Sequence, residues 1–247
     1  MAKLILQGYG STPTITIENN DKKEDITLSL YPIDELNSEH QTSLPNQDGY
    51  QILDNNIGYI LPSSCSAENR DEGLKKIFNN TKGIIIDMRC YPGDYISFPF
   101  LRHLSILKLN HSLITAGDVS YPGYHYFINW EYNNQNFDYT NTYEHKIVVI
   151  VNEETQSQAE DNVLGFQLLP QTIAIGSPTA GANGAVSRIP LLGGLQTRIT
   201  GLGVYYPDGS NLQRCGVKID EFIEPTIEEN RAERDEVLER AIEIIKN

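Results

Sequence analysis

Five consecutive apolar residues, Ile147-Val148-Val149-Ile150-Val151, constrain this chain more than any other stretch. All five are β-branched and no polar residue interrupts them, so the run reads as a strand buried on both faces. Such a strand needs a covering layer on each side, and 247 residues with 39% hydrophobic side chains can supply both. Shorter apolar runs repeat the pattern at Ile57-Gly58-Tyr59-Ile60, Ile84-Ile85-Ile86-Asp87-Met88 and Thr172-Ile173-Ala174-Ile175-Gly176. Helical periodicity lies between them. Residues 67–79 turn Leu74, Ile77 and Phe78 inward, 98–109 form a second helix, and 157–169 place Ala159, Val163, Phe166 and Leu169 near one face before Pro170 stops them. Alternation of buried strands with helices argues for an α/β core around a parallel sheet.

The flanks read differently. Residues 3–31 are β, with a strand at 4–7 and alternating strands at 14–18 and 25–31. Residues 32–56 are polar and turn-rich, as in a connector, and His40 in them reads as a solvated loop residue. Residues 110–145 are dense in Tyr, Asn and Gly, hold Trp130, and suggest short antiparallel strands and loops. Residues 185–207 read as β with a hairpin turn at Gly193-Gly194. A C-terminal helix follows, with Thr226 and Glu229 as a capping box and Val237, Leu238, Ala241, Ile242 and Ile245 as its apolar stripe.

A net charge of −14 disfavours nucleic acid and anionic membranes, whose phosphates need Lys and Arg. Cys65, Cys90 and Cys215 are widely spaced, so neither a zinc site nor a disulfide framework is expected. No metal or organic cofactor is implied. No apolar run reaches transmembrane length, and the first residues do not form a signal peptide.

Three polar turns follow the buried strands: residues 89–94, 152–157 and 177–184. In a parallel sheet these gather at one edge, where α/β active sites lie. Ser157 falls where strand gives way to helix. As a nucleophile it would have unpaired helix N–H groups and the helix dipole beside it. As a helix cap it would have no chemistry at all, and that stretch taken alone favours the cap.

The turns also carry a resemblance. Residues 83–94, GIIIDMRCYPGD, are similar to the G-L-I-x-D-L-R-x-N-P-G-G segment of the C-terminal processing (tail-specific) serine peptidases. KIVVIVNEETQSQAED resembles their nucleophile segment, V-V-V-L-V-N-x-x-T-x-S-x-x-E. GSPTAGANG resembles the G-x-x-T-x-G turn, and residues 203–226 resemble the closing D-G-x-x-x-x-x-G-V-x-P-D motif. The resemblance implies a crotonase/ClpP-like ββα spiral core over 36–247, preceded at 1–35 by the trailing strands of a PDZ-like domain. It implies a serine endopeptidase with Ser157 as nucleophile and the N–H groups of Gln158 and Gly93 as oxyanion donors.

One departure matters. Bacterial processing proteases carry a lysine base in a T-F-G-K-G turn, whereas Thr179-Ala180-Gly181-Ala182-Asn183-Gly184 has none. T-A-G-x-N-G resembles instead the tricorn core-like and retinoid-binding-protein-like branch. That branch takes its base from a histidine upstream of the PDZ domain and orients it through a residue near the final motif, where Gln213 stands. The chain is therefore expected to be a core from which the base has been removed. His103, His111, His125 and His145 are read as surface or packing residues, with His125 the first substitute base. Glu160 is expected at the helix N-terminus rather than in the chemistry, and Asp87 with Arg89 as a structural pair. The substrate would be a polypeptide added as a strand beside the core sheet and cut near its C-terminus. The resemblance also implies a periplasmic or cell-surface location. Two other readings stand: a peptide-binding relative that has lost its base, and an acyl-CoA enzyme of the same spiral fold, which the absence of a basic cluster for CoA phosphates disfavours.

Overall fold

The protein is described by a computed structural model that covers residues 13–19, 22–28, 48–104, 111–128, 143–232 and 234–247. The chain divides into two units, residues 1–46 and 47–247. In the first, β1 (Thr14–Asn19) and β2 (Lys22–Thr27) form an antiparallel hairpin with Thr14 opposite Thr27. The expected strand at 4–7, the connector before residue 48, His40 and Trp130 lie outside the described residues.

The second unit begins with β3 (Tyr50–Leu53) and β4 (Ile57–Ile60), then α1 (Arg70–Asn80) and β5 (Ile84–Asp87). Next come α2 (Ser97–His103), β6 (Leu113–Gly117) and β7 (His125–Ile128), then β8 (Ile147–Val151), α3 (Gln158–Phe166) and β9 (Thr172–Gly176). β10 (Val186–Pro190), β11 (Gln196–Thr200), β12 (Leu202–Tyr205) and β13 (Glu221–Phe222) precede α4 (Ile227–Arg231) and α5 (Glu236–Lys246).

A six-stranded sheet in the order β13-β9-β8-β5-β4-β3 organises this unit. It is parallel except for the edge strand β3. The apolar run that dominates the sequence is the centre of the sheet: β8 pairs with β5 (Ile84 opposite Ile147) and with β9 (Val148 opposite Ile173). Alternate side chains serve opposite faces. Ile84, Ile86, Ile147, Val149 and Val151 pack with Leu74, Ile77, Phe100, Val163 and Phe166 from α1, α2 and α3. Ile85, Val148, Ile150 and Ile175 pack with Val237, Ala241 and Ile244 from α5. Among the described residues, three helices thus cover one face of the sheet and one covers the other. Full burial of each Ile or Val in this centre contributes about 1.5–3 kcal/mol.

Several boundaries differ from the sequence reading. β3 lies inside the expected connector. It is an edge strand with Tyr50 buried and Ile52 exposed, so its pattern is too weak to read. The C-terminal helix is two helices, and the longer one is capped by Asp235, whose carboxylate accepts from Leu238 N at 3.0 Å. The Thr226 N–H donates to Glu236 at 2.8 Å, and the side chain of Glu229, its expected capping-box partner, lies outside the described residues. The region read as one β stretch after residue 185 is a separate hairpin, β10-β11, joined by a five-residue link, 191–195, that includes Gly193-Gly194. β12 then joins β6 and β7 in a three-stranded antiparallel sheet. No described helix is long and apolar enough to cross a membrane.

Candidate active site

The three strand-end turns do converge at the C-terminal edge of the sheet. Thr155, fully buried, is their knot. Its hydroxyl donates to Met88 O at 2.8 Å and accepts from Asn152 N at 3.0 Å, and its own carbonyl accepts from Ala180 N at 3.0 Å. One residue thereby ties the ends of β5, β8 and β9. Gly176 closes the same edge at φ 126°; a Cβ there would lie 2.0 Å from Val151 O, so only glycine fits.

Ser157 is the N-cap residue of α3, but not an ordinary one. A capping serine sits in extended backbone. Ser157 has φ 54° and ψ −115°, a conformation that costs a non-glycine residue about 1–3 kcal/mol. Capping alone does not require that conformation; it projects a side chain from a sharp strand-to-helix turn.

Glu160 holds the turn in place. Its carboxylate is fully buried and accepts four hydrogen bonds, from Thr179 Oγ1 (2.6 Å), Gly181 N (2.7 Å), Ala182 N (2.8 Å) and Ser157 N (3.3 Å). It joins the serine turn to the 179–184 turn, a larger task than the helix-terminus role expected of it. The Ser157-x-x-Glu160 spacing is itself a capping-box pattern, so half of this arrangement was available to sequence inspection. Asn162, also buried, accepts from Ile96 N and Ser97 N at 3.1 and 2.7 Å and so caps α2 from α3.

A polar group that the sequence reading missed lies one helical turn beyond Ser157. Asp161 receives the Tyr95 hydroxyl, His111 Nε2 at 3.2 Å and Asn183 Nδ2 at 3.2 Å. Burial alone would raise the Asp161 carboxyl, but the His111 ring, the Tyr95 hydroxyl and the Asn183 amide outweigh it and hold the group below the usual carboxylate range. Its partners come from three separate segments, so no local spacing announces it. Further along the same face, Leu164 and, just past the end of α3, Leu168 border a cavity of about 370 Å³ that His111, Tyr206, Lys218 and Asp220 also line.

The turn after β5 is built around Arg89. The guanidinium pairs with Asp87 (Nε–Oδ1 3.0 Å, Nη2–Oδ2 2.7 Å) and with Asp235 at the cap of α5 (2.9 and 2.6 Å). Burial opposes its charge, and the two carboxylates more than compensate, so its pKa rises. Tyr59 donates to Asp87 at 2.9 Å. The expected Asp87–Arg89 pair is therefore present, extended by a partner 146 residues away.

Gly93 follows in this turn, and its N–H is already engaged: it donates to Pro62 O at 2.8 Å. The backbone of residues 62–65 wraps it closely, and a Cβ on Gly93 would meet Cys65 O at 2.7 Å and Ser63 O at 3.1 Å. Gln158, as first residue of α3, has no acceptor within the helix for its own N–H. Gln213 stands beside the 179–184 turn. Both of its amide contacts are donations, to Asn183 O at 2.7 Å and Leu202 O at 2.9 Å, which leaves the amide oxygen as its remaining polar function.

The histidines are dispersed. His103 stacks on Phe78 with ring centroids 4.6 Å apart, and burial lowers its pKa. His145 meets Tyr143 edge-on at 5.1 Å. His125 is exposed on β7, with Nδ1 3.4 Å from Gly123 O. Among the described residues, no histidine or lysine is hydrogen-bonded to Ser157. Lys146 instead donates to Ile244 O, and Lys218 pairs with Asp208 over the Tyr206 ring.

Comparison with known sequences decides the family. The profile of peptidase family S41 matches residues 56–223, more than half of the chain and all three turns. The chain belongs to peptidase family S41. No curated protein matches this S41 chain. Solved structures do. A candidate peptidase of Parabacteroides merdae is 21% identical with a TM-score of 0.65, over 79% of this chain and 63% of that one. Mature CPAF complexed with lactacystin is 12% identical with a TM-score of 0.65, over 96% and 67%. A lipoprotein of Streptococcus agalactiae is 23% identical with a TM-score of 0.50, over 80% and 68%. At these identities the likeness is one of fold. The S41 chain spans less than two thirds of the length of the Parabacteroides protein.

Proposed function

We propose that this chain is the core of a serine-type endopeptidase in which Ser157 Oγ attacks the scissile carbonyl of a polypeptide. The strained backbone at Ser157 carries the reading, because a cap alone gives no reason for φ 54°. The tetrahedral oxyanion would be met by the Gln158 N–H and, once it parts from Pro62 O, by the Gly93 N–H. Each such donor contributes roughly 10²–10³ in rate. The proton of Ser157 would pass to a histidine supplied by residues beyond these, as the resemblance to the tricorn-like branch implies. The free amide oxygen of Gln213 suits it to hold that imidazole by its second N–H. The core is read as a crotonase/ClpP-like spiral and the β1-β2 hairpin as the remnant of a PDZ-like module. Cleavage is placed near substrate C-termini by family habit, and an extracytoplasmic location is supported by the fold likeness to a lipoprotein.

A second reading, a peptide-binding relative without catalysis, is favoured by one observation: the Gly93 N–H is occupied by Pro62 O while no described base reaches Ser157. A serine-directed fluorophosphonate separates the two. The longest native form should be labelled at Ser157, the Ser157→Ala variant should not, and the 247-residue chain should remain unlabelled. Labelling of the short chain would place the base within these residues. Peptide binding without labelling of either form would establish the second reading.

A further inference from the structure

The β10-β11 hairpin stands apart from both sheets of its unit. Every residue of both strands is exposed, and the pair forms a two-stranded sheet of its own. An isolated hairpin of this size is marginally stable in water, and among the described residues its two outer edges pair with no other strand. Its surface is nevertheless apolar. Leu192 is 97% exposed, Leu195 66%, Ile199 55% and Val186 54%.

The charges on the hairpin are as unusual as its apolar surface. Arg188 and Arg198 are its only charged residues, and they are direct cross-strand partners. Cross-strand partners point to the same face, and like charges placed so repel. Neither arginine makes an ion pair among the described residues. The opposite face carries Ile189 and Ile199, and the tip carries Leu191, Leu192 and Leu195. The hairpin therefore fits a surface that offers carboxylates, large apolar side chains and a free strand edge.

This chain carries such a surface. β13 is the last strand of the six-stranded sheet and pairs only with β9, so its outer edge is open among the described residues. Phe222 in it is 62% exposed and Ile227 just beyond is 66% exposed. Glu224 and Glu228 lie exposed between and after them, with no ion pair among the described residues. The wider charge balance agrees. Without Arg188 and Arg198, 17 of the 19 basic residues face 33 acidic ones, so the rest of the chain has a formal charge of −16.

We propose that the β10-β11 hairpin is a docking arm for a second copy of this chain, received at the β13 edge. Strand addition extends the partner's sheet. Arg188 and Arg198 meet Glu224 and Glu228, and the leucine tip covers Phe222 and Ile227. This assignment is independent of the peptidase reading, since it uses no residue of the serine site.

Sedimentation equilibrium of the 247-residue chain over a range of concentration and salt tests it. The expected result is reversible association that weakens as salt rises. Arg188→Glu with Arg198→Glu on one surface, or Glu224→Lys with Glu228→Lys on the other, should each weaken association at least about tenfold. Mixing the two reversed variants should restore it. Leu192→Asp, at a fully exposed site that cannot disturb folding, should weaken it without altering charge at the arginine pair. A chain that stays monomeric at every concentration, association indifferent to all three changes, or a charge-swapped mixture that does not recover would each overturn the proposal.

Discussion

Two neighbouring turns at the same sheet edge are built to different states of readiness. The turn after β8 holds Ser157 in a strained, projecting conformation, secured by Glu160 and Thr155. The turn after β5 is equally well anchored, through Arg89, but its Gly93 N–H faces inward to Pro62 O. The nucleophile is set while one proposed oxyanion donor is closed. The contrast teaches that rigidity and readiness are separate properties. Buried polar partners fix both turns, yet only one presents its functional group.

The comparison can be broken most severely at Glu160. Glu160→Ala leaves the buried Thr179 hydroxyl and the N–H groups of Gly181 and Ala182 without their acceptor and should cost roughly 2–4 kcal/mol. Urea unfolding at constant m measures it. A loss below about 1 kcal/mol would mean that water replaces the carboxylate and that the serine turn is not secured as described.

Gly93→Ala acts on the other turn. Its methyl group would sit 2.7 Å from Cys65 O, so the turn must separate from residues 62–65. Overpacking of this kind costs typically about 1–3 kcal/mol. In the unaltered chain the Gly93 amide should exchange slowly with solvent deuterium, and in the alanine variant faster. Equal exchange in the two proteins would show that the bond to Pro62 does not close the donor.

Ser157→Gly and Ser157→Ala both remove the hydroxyl, but only glycine adopts φ 54° freely. The glycine variant should be more stable than the alanine variant by about 1 kcal/mol. Equal thermal midpoints would indicate that Ser157 is not strained.

Asp161 gives the smallest effect and a pH signature. Its carboxyl is held below its unfolded value, which is about 3.9. The ionised form therefore favours the folded state. That contribution is complete above the unfolded pKa and is lost as pH falls through the lower folded one. Asp161→Asn should flatten the acid limb of the stability profile below about pH 5 and leave the neutral limb parallel to wild type. An unchanged acid limb would show that His111, Tyr95 and Asn183 do not stabilise the charge.

What could be read from the sequence follows from how local each cause is. β8 was legible because a run buried on both faces is apolar at every position, and β5 and β9 because apolar residues dominate them. Ser157 was placed at its turn by the switch from strand to helix, and Asp87 with Arg89 by proximity. The strain at Ser157 was not legible, since no glycine or proline marks it and its support comes from Thr179, Gly181 and Ala182, some twenty residues on. The closure of Gly93 by Pro62 is a backbone contact and has no side-chain signal. Asp235 could have been recognised as a helix cap, but its bond to Arg89 could not.

Among the described residues, α5 is the one helix on the second face of the sheet, and it lies far along the chain from the central strands it covers. When α5 lifts away, Ile85, Val148, Ile150 and Ile175 lose their helical cover, and Arg89 loses the carboxylate of Asp235 that caps the same helix. Detachment of this one helix is thus coupled to loosening of the turn after β5. A chain that has lost α5 would keep Ser157 and Glu160 and still expose an apolar sheet face to the cell's folding surveillance.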